Sequence, residues 1–111
     1  MTGTEYQKLA MRTNRDDASK HDNLINGCLG LAGESGEVCD YIKKHVFQGH
    51  EFEIDHIIEE LGDCMWFIAE ICTASNLCLD EVMQTNIDKL KARYPDGFEA
   101  ERSLHRKEGD I

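Results

Sequence analysis

The stretch LINGCLGLAGESGEVCDYIKKHV, residues 24–46, settles the fold class before any other part of the chain. Its positions Leu24, Cys28, Leu31, Ser35, Val38, Ile42 and Val46 are spaced 4, 3, 4, 3, 4 and 4 residues apart. That spacing describes one face of an α-helix and excludes the strict alternation of a half-buried strand. It predicts a helix over residues 21–47, ended by Gln48-Gly49-His50, because glycine after the last periodic residue is the usual stop. Working outward, a third helix is expected over 53–74, burying Ile57, Leu61, Cys64, Ile68 and Ile71 or Cys72. A fourth is expected over 79–94, with Val82 or Met83, Ile87, Leu90 and Tyr94 inward, stopped by Pro95 and turned by Asp96-Gly97. Upstream, Thr4 followed by Gln7 reads as a capping box opening a first helix over 4–16. Four helices, short connections and no credible strand predict an all-α antiparallel four-helix bundle over residues 1–98. A charged, partly ordered C-terminal tail is expected over 99–111, with Phe98 and Leu104 as the only packing points near it.

Composition narrows the classes of function. The chain has 111 residues, and 22 acids against 12 Lys and Arg give a formal charge of −10. With 41% hydrophobic residues and one proline it is too apolar to be a disordered acidic tail. The negative charge argues against a nucleic-acid polymer or an anionic membrane as partner. No apolar run reaches the ~18 residues of a membrane span, and the first residues lack a secretory h-region. Five cysteines without a C-x-x-C pair read as buried thiols of a cytoplasmic protein, neither a disulfide framework nor a zinc site.

Chemistry is concentrated in Glu34-Ser35-Gly36-Glu37 and Glu60-Leu61-Gly62-Asp63. Acids three apart share a helix face and can present two carboxylates to one ion. The spacing alone carries nothing, since the four such pairs in this chain are about what chance gives for its acid content. Placement is more informative: at ~100° per residue both pairs flank the apolar stripes instead of pointing straight out, where a metal or simply solvent can face them. Gly27, Gly30, Gly33 and Gly36 each cost about 1 kcal/mol relative to alanine inside a helix, so either the helix breaks there or something approaches its backbone closely. On the fourth helix Asn86, Lys89 and Arg93 form one polar stripe, which either binds an anion or complements the helix dipole. Phe67, one turn after Asp63, is placed either to stack on a base or to fill the core, and Trp66 is equally ambiguous.

The blocks GLAGESGEVCDYIKK, EELGDCMWFIAEI and LDEVMQTNIDKLKARYPDGF, in this order, resemble the MazG-like all-alpha nucleoside triphosphate pyrophosphohydrolases. That family's pattern is E-x-x-E, a gap, then E-x-x-D; here 22 residues separate Glu37 from Glu60. The resemblance implies cleavage of a nucleoside triphosphate between its α and β phosphates, giving the monophosphate and pyrophosphate in nucleotide-pool housecleaning. It implies Mg²⁺, with Mn²⁺ as a substitute, held by Glu34, Glu37, Glu60 and Asp63; of these acids Glu37 is chosen here as the catalytic base. It further implies phosphate binding by Lys89 and Arg93 with Asn86 beside them, in a homodimer or homotetramer, while Phe67 is a candidate for the base only by its place after Asp63. Charge makes this coherent: a triphosphate near −4 is repelled by the acids until two divalent ions, +4 together, neutralise four carboxylates. The competing reading is a non-catalytic helical module binding nucleotide or protein. A di-iron bundle would need two E-x-x-H motifs, and only Glu53 to His56 offers one.

Overall fold

The structure, a computed structural model, describes residues 1–107 and 109; the end of the expected tail, residues 108, 110 and 111, lies outside the described residues. The chain is helical in the order α1 (Gly3–Met11), α2 (Lys20–Gln48), α3 (Ile54–Ala74), α4 (Leu79–Arg93) and a short α5 (Ala100–Leu104). The all-α class and the four main helices are as expected; α5 gives the tail one more turn of order than its charge suggested.

Helix ends follow local chemistry. Gly49 closes α2 at φ 73, the left-handed conformation that glycine adopts without penalty. The first helix departs from expectation at both ends. Its capping box is Thr2 with Glu5 instead of Thr4 with Gln7. Gln7 is used elsewhere: its Oε1 accepts from the Leu79 N–H at 2.8 Å, satisfying a free donor at the start of α4, while its Nε2 donates to Thr73 Oγ1 and the Leu77 carbonyl. The helix stops at Met11, before the expected residue 16. The Ala10 carbonyl is taken by Thr13 Oγ1 at 2.7 Å and by the Trp66 indole N–H at 3.0 Å, and side chains that bond back to the backbone in this way compete with helix continuation.

Helices α2 and α3 form the main unit, an antiparallel hairpin whose register is read from its partners: Asn26 meets Glu70, Gly30 meets Phe67 and Tyr41 meets His56. Tyr41 also ties the connecting loop, its hydroxyl donating to the Glu51 carbonyl at 3.0 Å and accepting from the Glu53 N–H at 2.7 Å. Close approach explains two of the four helical glycines. A Cβ at Gly27 would lie 2.7 Å from Ile71, and one at Gly30 would clash with the edge of the Phe67 ring. Gly33 and Gly36 have nothing within 4 Å, so no helix packing accounts for them, and α2 runs unbroken through all four.

Helix α1 lies on α3, and α4 packs chiefly on α1. The molecule is therefore opened out: its radius of gyration is 17.2 Å, against about 13 Å for a compact chain of this length. This changes several burial expectations. The seam between α2 and α3 is roughly 90° around α2 from the stripe of Leu24, Cys28 and Leu31, so the periodic apolar face is not the face that α3 covers. Ile42 and Val46 remain exposed on α2, as do Leu61 on α3 and Val82, Met83, Ile87 and Leu90 on α4. Of the five thiols expected to be buried, only Cys72 is; Cys28 and Cys39 are exposed because they lie off the covered seam.

Candidate metal centre

The hairpin seam brings three of the four predicted ligands together. Carboxylate oxygens of Glu34, Glu60 and Asp63 lie within 4.8 Å of one another. Glu34 comes from α2, while Glu60 and Asp63 lie one turn apart on α3. The antiparallel register thus does what neither E-x-x-E nor E-x-x-D can do alone. Glu60 is anchored on one side by His56, whose Nε2 is 3.6 Å from Oε1 and whose ring stacks 4.2 Å from that of Tyr41. Its other oxygen, Oε2, is buried and has no hydrogen-bond partner. An orphaned carboxylate oxygen beside two further carboxylates is a costly arrangement that a bound cation relieves.

Electrostatics agree. Glu34 is held above the ordinary carboxylate value of 4.5, first by a hydrogen bond with Glu60, then by burial and by the charges of Asp63, Glu60 and Glu37. Crowded carboxylates disfavour one another's charged form, which is why the shift is upward. On the adjoining turn the Cys64 thiol is pushed up, by burial and then by Glu34, Glu60 and Asp63. The Tyr6 hydroxyl of α1 is also raised, by burial and then by Asp63.

These shifts set a pH dependence. Because Glu34 in the fold lies above its unfolded value, its contribution to metal-free stability is present below that value and lost as pH rises through the raised one. A divalent cation needs the deprotonated carboxylates, so its stabilisation grows over the same interval. Melting curves from acid to neutral pH should therefore diverge, the Mg²⁺ series rising above the EDTA series as pH increases. Parallel curves would show that no cation occupies this cluster.

Other predicted residues are dispersed. Glu37 is exposed, one turn from Glu34, and outside the trio, though near enough for its charge to act on Glu34. Phe67 lies over Gly30, edge-on to Trp66 at 5.2 Å, so the ring is part of the seam. Asn86 and Lys89 line a 400 Å³ surface cavity of α4 with Leu77, Glu81, Val82 and Thr85. Arg93 lies beyond them at a smaller cavity with Ala92, Arg102 and Lys107, its guanidinium 5.8 Å from the Tyr94 ring centre. Helix α4 packs chiefly on α1, and the cavity that Asn86 and Lys89 line includes none of Glu34, Glu60 and Asp63. A cavity of about 560 Å³ between α1 and the start of α4 likewise includes none of the trio. The sequence reading missed Glu70, Asn26 and Tyr6; Glu70 carried a signal, an acid inside the apolar run Phe67-Ile68-Ala69-Glu70-Ile71-Cys72.

With this geometry in hand, similarity to known proteins is decisive. Residues 23–98 match the model of the MazG nucleotide pyrophosphohydrolase domain, which spans all of α3 and α4 and α2 except its first three residues. The chain belongs to the MazG family. It is also 31% identical over 86 residues to the Gene 37 protein of Mycobacterium phage L5, covering 73% of this chain and 75% of that one. No solved structure matches it. Membership in the MazG family supports a nucleotide pyrophosphohydrolase with an acidic cluster for metal, and among the described residues no helix is long and apolar enough to cross a membrane.

Proposed function

We propose that this MazG protein hydrolyses nucleoside triphosphates between the α and β phosphates, releasing the monophosphate and pyrophosphate with Mg²⁺. The observation that supports this most is the Glu34, Glu60 and Asp63 cluster with its orphaned oxygen, formed within the matched family domain. All-oxygen ligation suits Mg²⁺, and Mn²⁺ shares that preference. When bound, the metal supplies charge neutralisation for the phosphates and an acidified water. Glu34, Glu60 and Asp63 hold it, with Glu37 completing the set by a rotamer change across one helical turn. Glu37, the exposed member, is the group that takes the proton from the attacking water, and exposure lets it return that proton to solvent. Asn86, Lys89 and Arg93 bind the β and γ phosphates and offset charge on leaving pyrophosphate.

Because the cavity that Asn86 and Lys89 line includes none of the trio, these last three residues serve a site completed by a second copy of the chain. Exposed Ile54, Ile58, Leu61 and Met65 form one stripe on α3, which together with the open face of α4 supplies apolar surface for a homodimer or homotetramer. The protein would act in the cytoplasm, where nucleotides and Mg²⁺ are available.

The test is the purified protein with Mg²⁺ and a panel of ribo- and deoxyribonucleoside triphosphates. Pyrophosphate and monophosphate are the expected products, and EDTA should abolish them. Orthophosphate with diphosphate, or binding without any product, would replace this reading with a different hydrolase or with the non-catalytic module.

A further inference from the structure

In the sequence His56 stands only as half of an unpartnered E-x-x-H motif, and the hydrolysis reaction gives it no role. The fold gives it two neighbours. Its Nε2 lies 3.6 Å from Glu60 Oε1, one helical turn further along α3. Its ring packs on that of Tyr41 across the hairpin, with centroids 4.2 Å apart and planes inclined by 38°. Tyr41 is itself held in place. Its hydroxyl donates to the Glu51 carbonyl at 3.0 Å and accepts the Glu53 N–H at 2.7 Å, while the Phe52 ring lies 6.3 Å away. Glu53 opens α3 with no side-chain cap, so the same hydroxyl that steadies the His56 ring also receives an N–H at the start of its helix.

Glu60 needs such a support. Three carboxylates whose oxygens lie within 4.8 Å repel one another when charged, and a side chain that turned away would relieve the repulsion. Lysines and arginines that could oppose this are engaged elsewhere: Arg15 with Asp17, Lys43 and Lys44 with Asp40, and Arg102 with Glu99. His56 is the basic group that meets the trio. At 3.6 Å the approach is longer than a hydrogen bond, so the imidazole is a polar group set beside Oε1 and not a closed bond to it. The other oxygen, Oε2, is left buried and without a partner.

We propose that His56 is a positioning residue for the metal centre: braced on Tyr41, it holds the Glu60 carboxylate by the Oε1 side and keeps it convergent with Glu34 and Asp63 before a cation arrives. A ligand already in place loses less side-chain freedom when the cation binds, which raises affinity. Loss of an outer partner of this kind costs ~10–100-fold in metal affinity. The role rests on the metal centre of the pyrophosphohydrolase reading, and its readout is metal affinity instead of turnover.

The test titrates Mn²⁺ into the full chain without nucleotide at one fixed pH, counting free ion by electron paramagnetic resonance. His56→Phe keeps a ring to pack on Tyr41 and removes Nε2. It should weaken Mn²⁺ binding by about tenfold or more while the metal-free melting temperature stays unchanged. His56→Gln, whose amide nitrogen falls near the place of Nε2, should restore most of that affinity. Unchanged affinity in His56→Phe overturns the proposal. Equal losses in the two variants overturn it as well, since the effect would then belong to the ring and not to its nitrogen. Should His56→Phe not fold, His56→Leu at this half-buried position is judged by the same two outcomes. An unaltered protein that binds no Mn²⁺ overturns the metal centre, and the role of His56 falls with it. Bound Mn²⁺ without pyrophosphate from any triphosphate overturns only the hydrolysis reading.

Discussion

Glu60→Gln is expected to lower pyrophosphate release by at least about a hundredfold while leaving helicity unchanged. Loss of a group that merely orients a metal ligand costs ~10–100-fold, and Glu60 is argued to be a ligand itself, carrying the orphaned oxygen of the cluster. The fold should tolerate the change. The glutamine amide keeps the shape, can donate to Glu34 and removes one of the charges that hold Glu34 above its ordinary value. Metal-free melting should therefore be equal to or above that of the unaltered protein, and the rise in melting temperature on adding Mg²⁺ should vanish. Glu37→Gln should also lower turnover but reduce the Mg²⁺-induced rise only in part, because the three convergent acids remain to hold the ion. If Glu60→Gln retained near-normal turnover, the metal assignment would be wrong at its best-supported residue.

The second large effect is on stability and contrasts two glycines of one helix. Gly30→Ala drives a methyl against the Phe67 ring on the α2–α3 seam, and the ring must shift from its place edge-on to Trp66. Overpacking of this kind costs typically 1–3 kcal/mol, of which about 1 kcal/mol is returned by helix propensity. At the usual size scaling the net loss, up to about 2 kcal/mol, lowers the melting temperature by up to on the order of 15 °C. Gly33→Ala meets nothing within 4 Å and should instead stabilise by up to about 1 kcal/mol. Equal melting shifts for the two variants would refute the seam geometry.

Fold class was legible because helical periodicity is a local property. The 3-and-4 spacing from Leu24 to Val46, the stop at Gly49 and the break at Pro95 each act within one turn of chain, and each stands where the sequence placed it. Boundaries failed where a side chain had two possible uses. Thr4 and Gln7 fit a capping box on paper, but Gln7 gains more by bonding the start of α4 and Thr73, partners distant in sequence. Burial failed for a related reason: which side of an amphipathic helix a neighbour covers depends on where the neighbour goes.

The candidate site divides along the same line. Sequence alone marked Glu34, Glu60 and Asp63, because two short motifs stand in a recognisable order with a third block behind them. Their meeting at one point depends on the antiparallel register of α2 and α3, set by Gly27 and Gly30 accepting Ile71 and Phe67. Tertiary structure also decided that Glu37 is held apart, that Lys89 of α4 lines a cavity without the acids, and that Glu70 is buried with one oxygen unmet. The sequence by itself determined the helices, the family and the acids available to a metal. Only the packing determined which acids converge and which is left unsatisfied, because charge proximity and desolvation are properties of space between segments, to which no single segment has access.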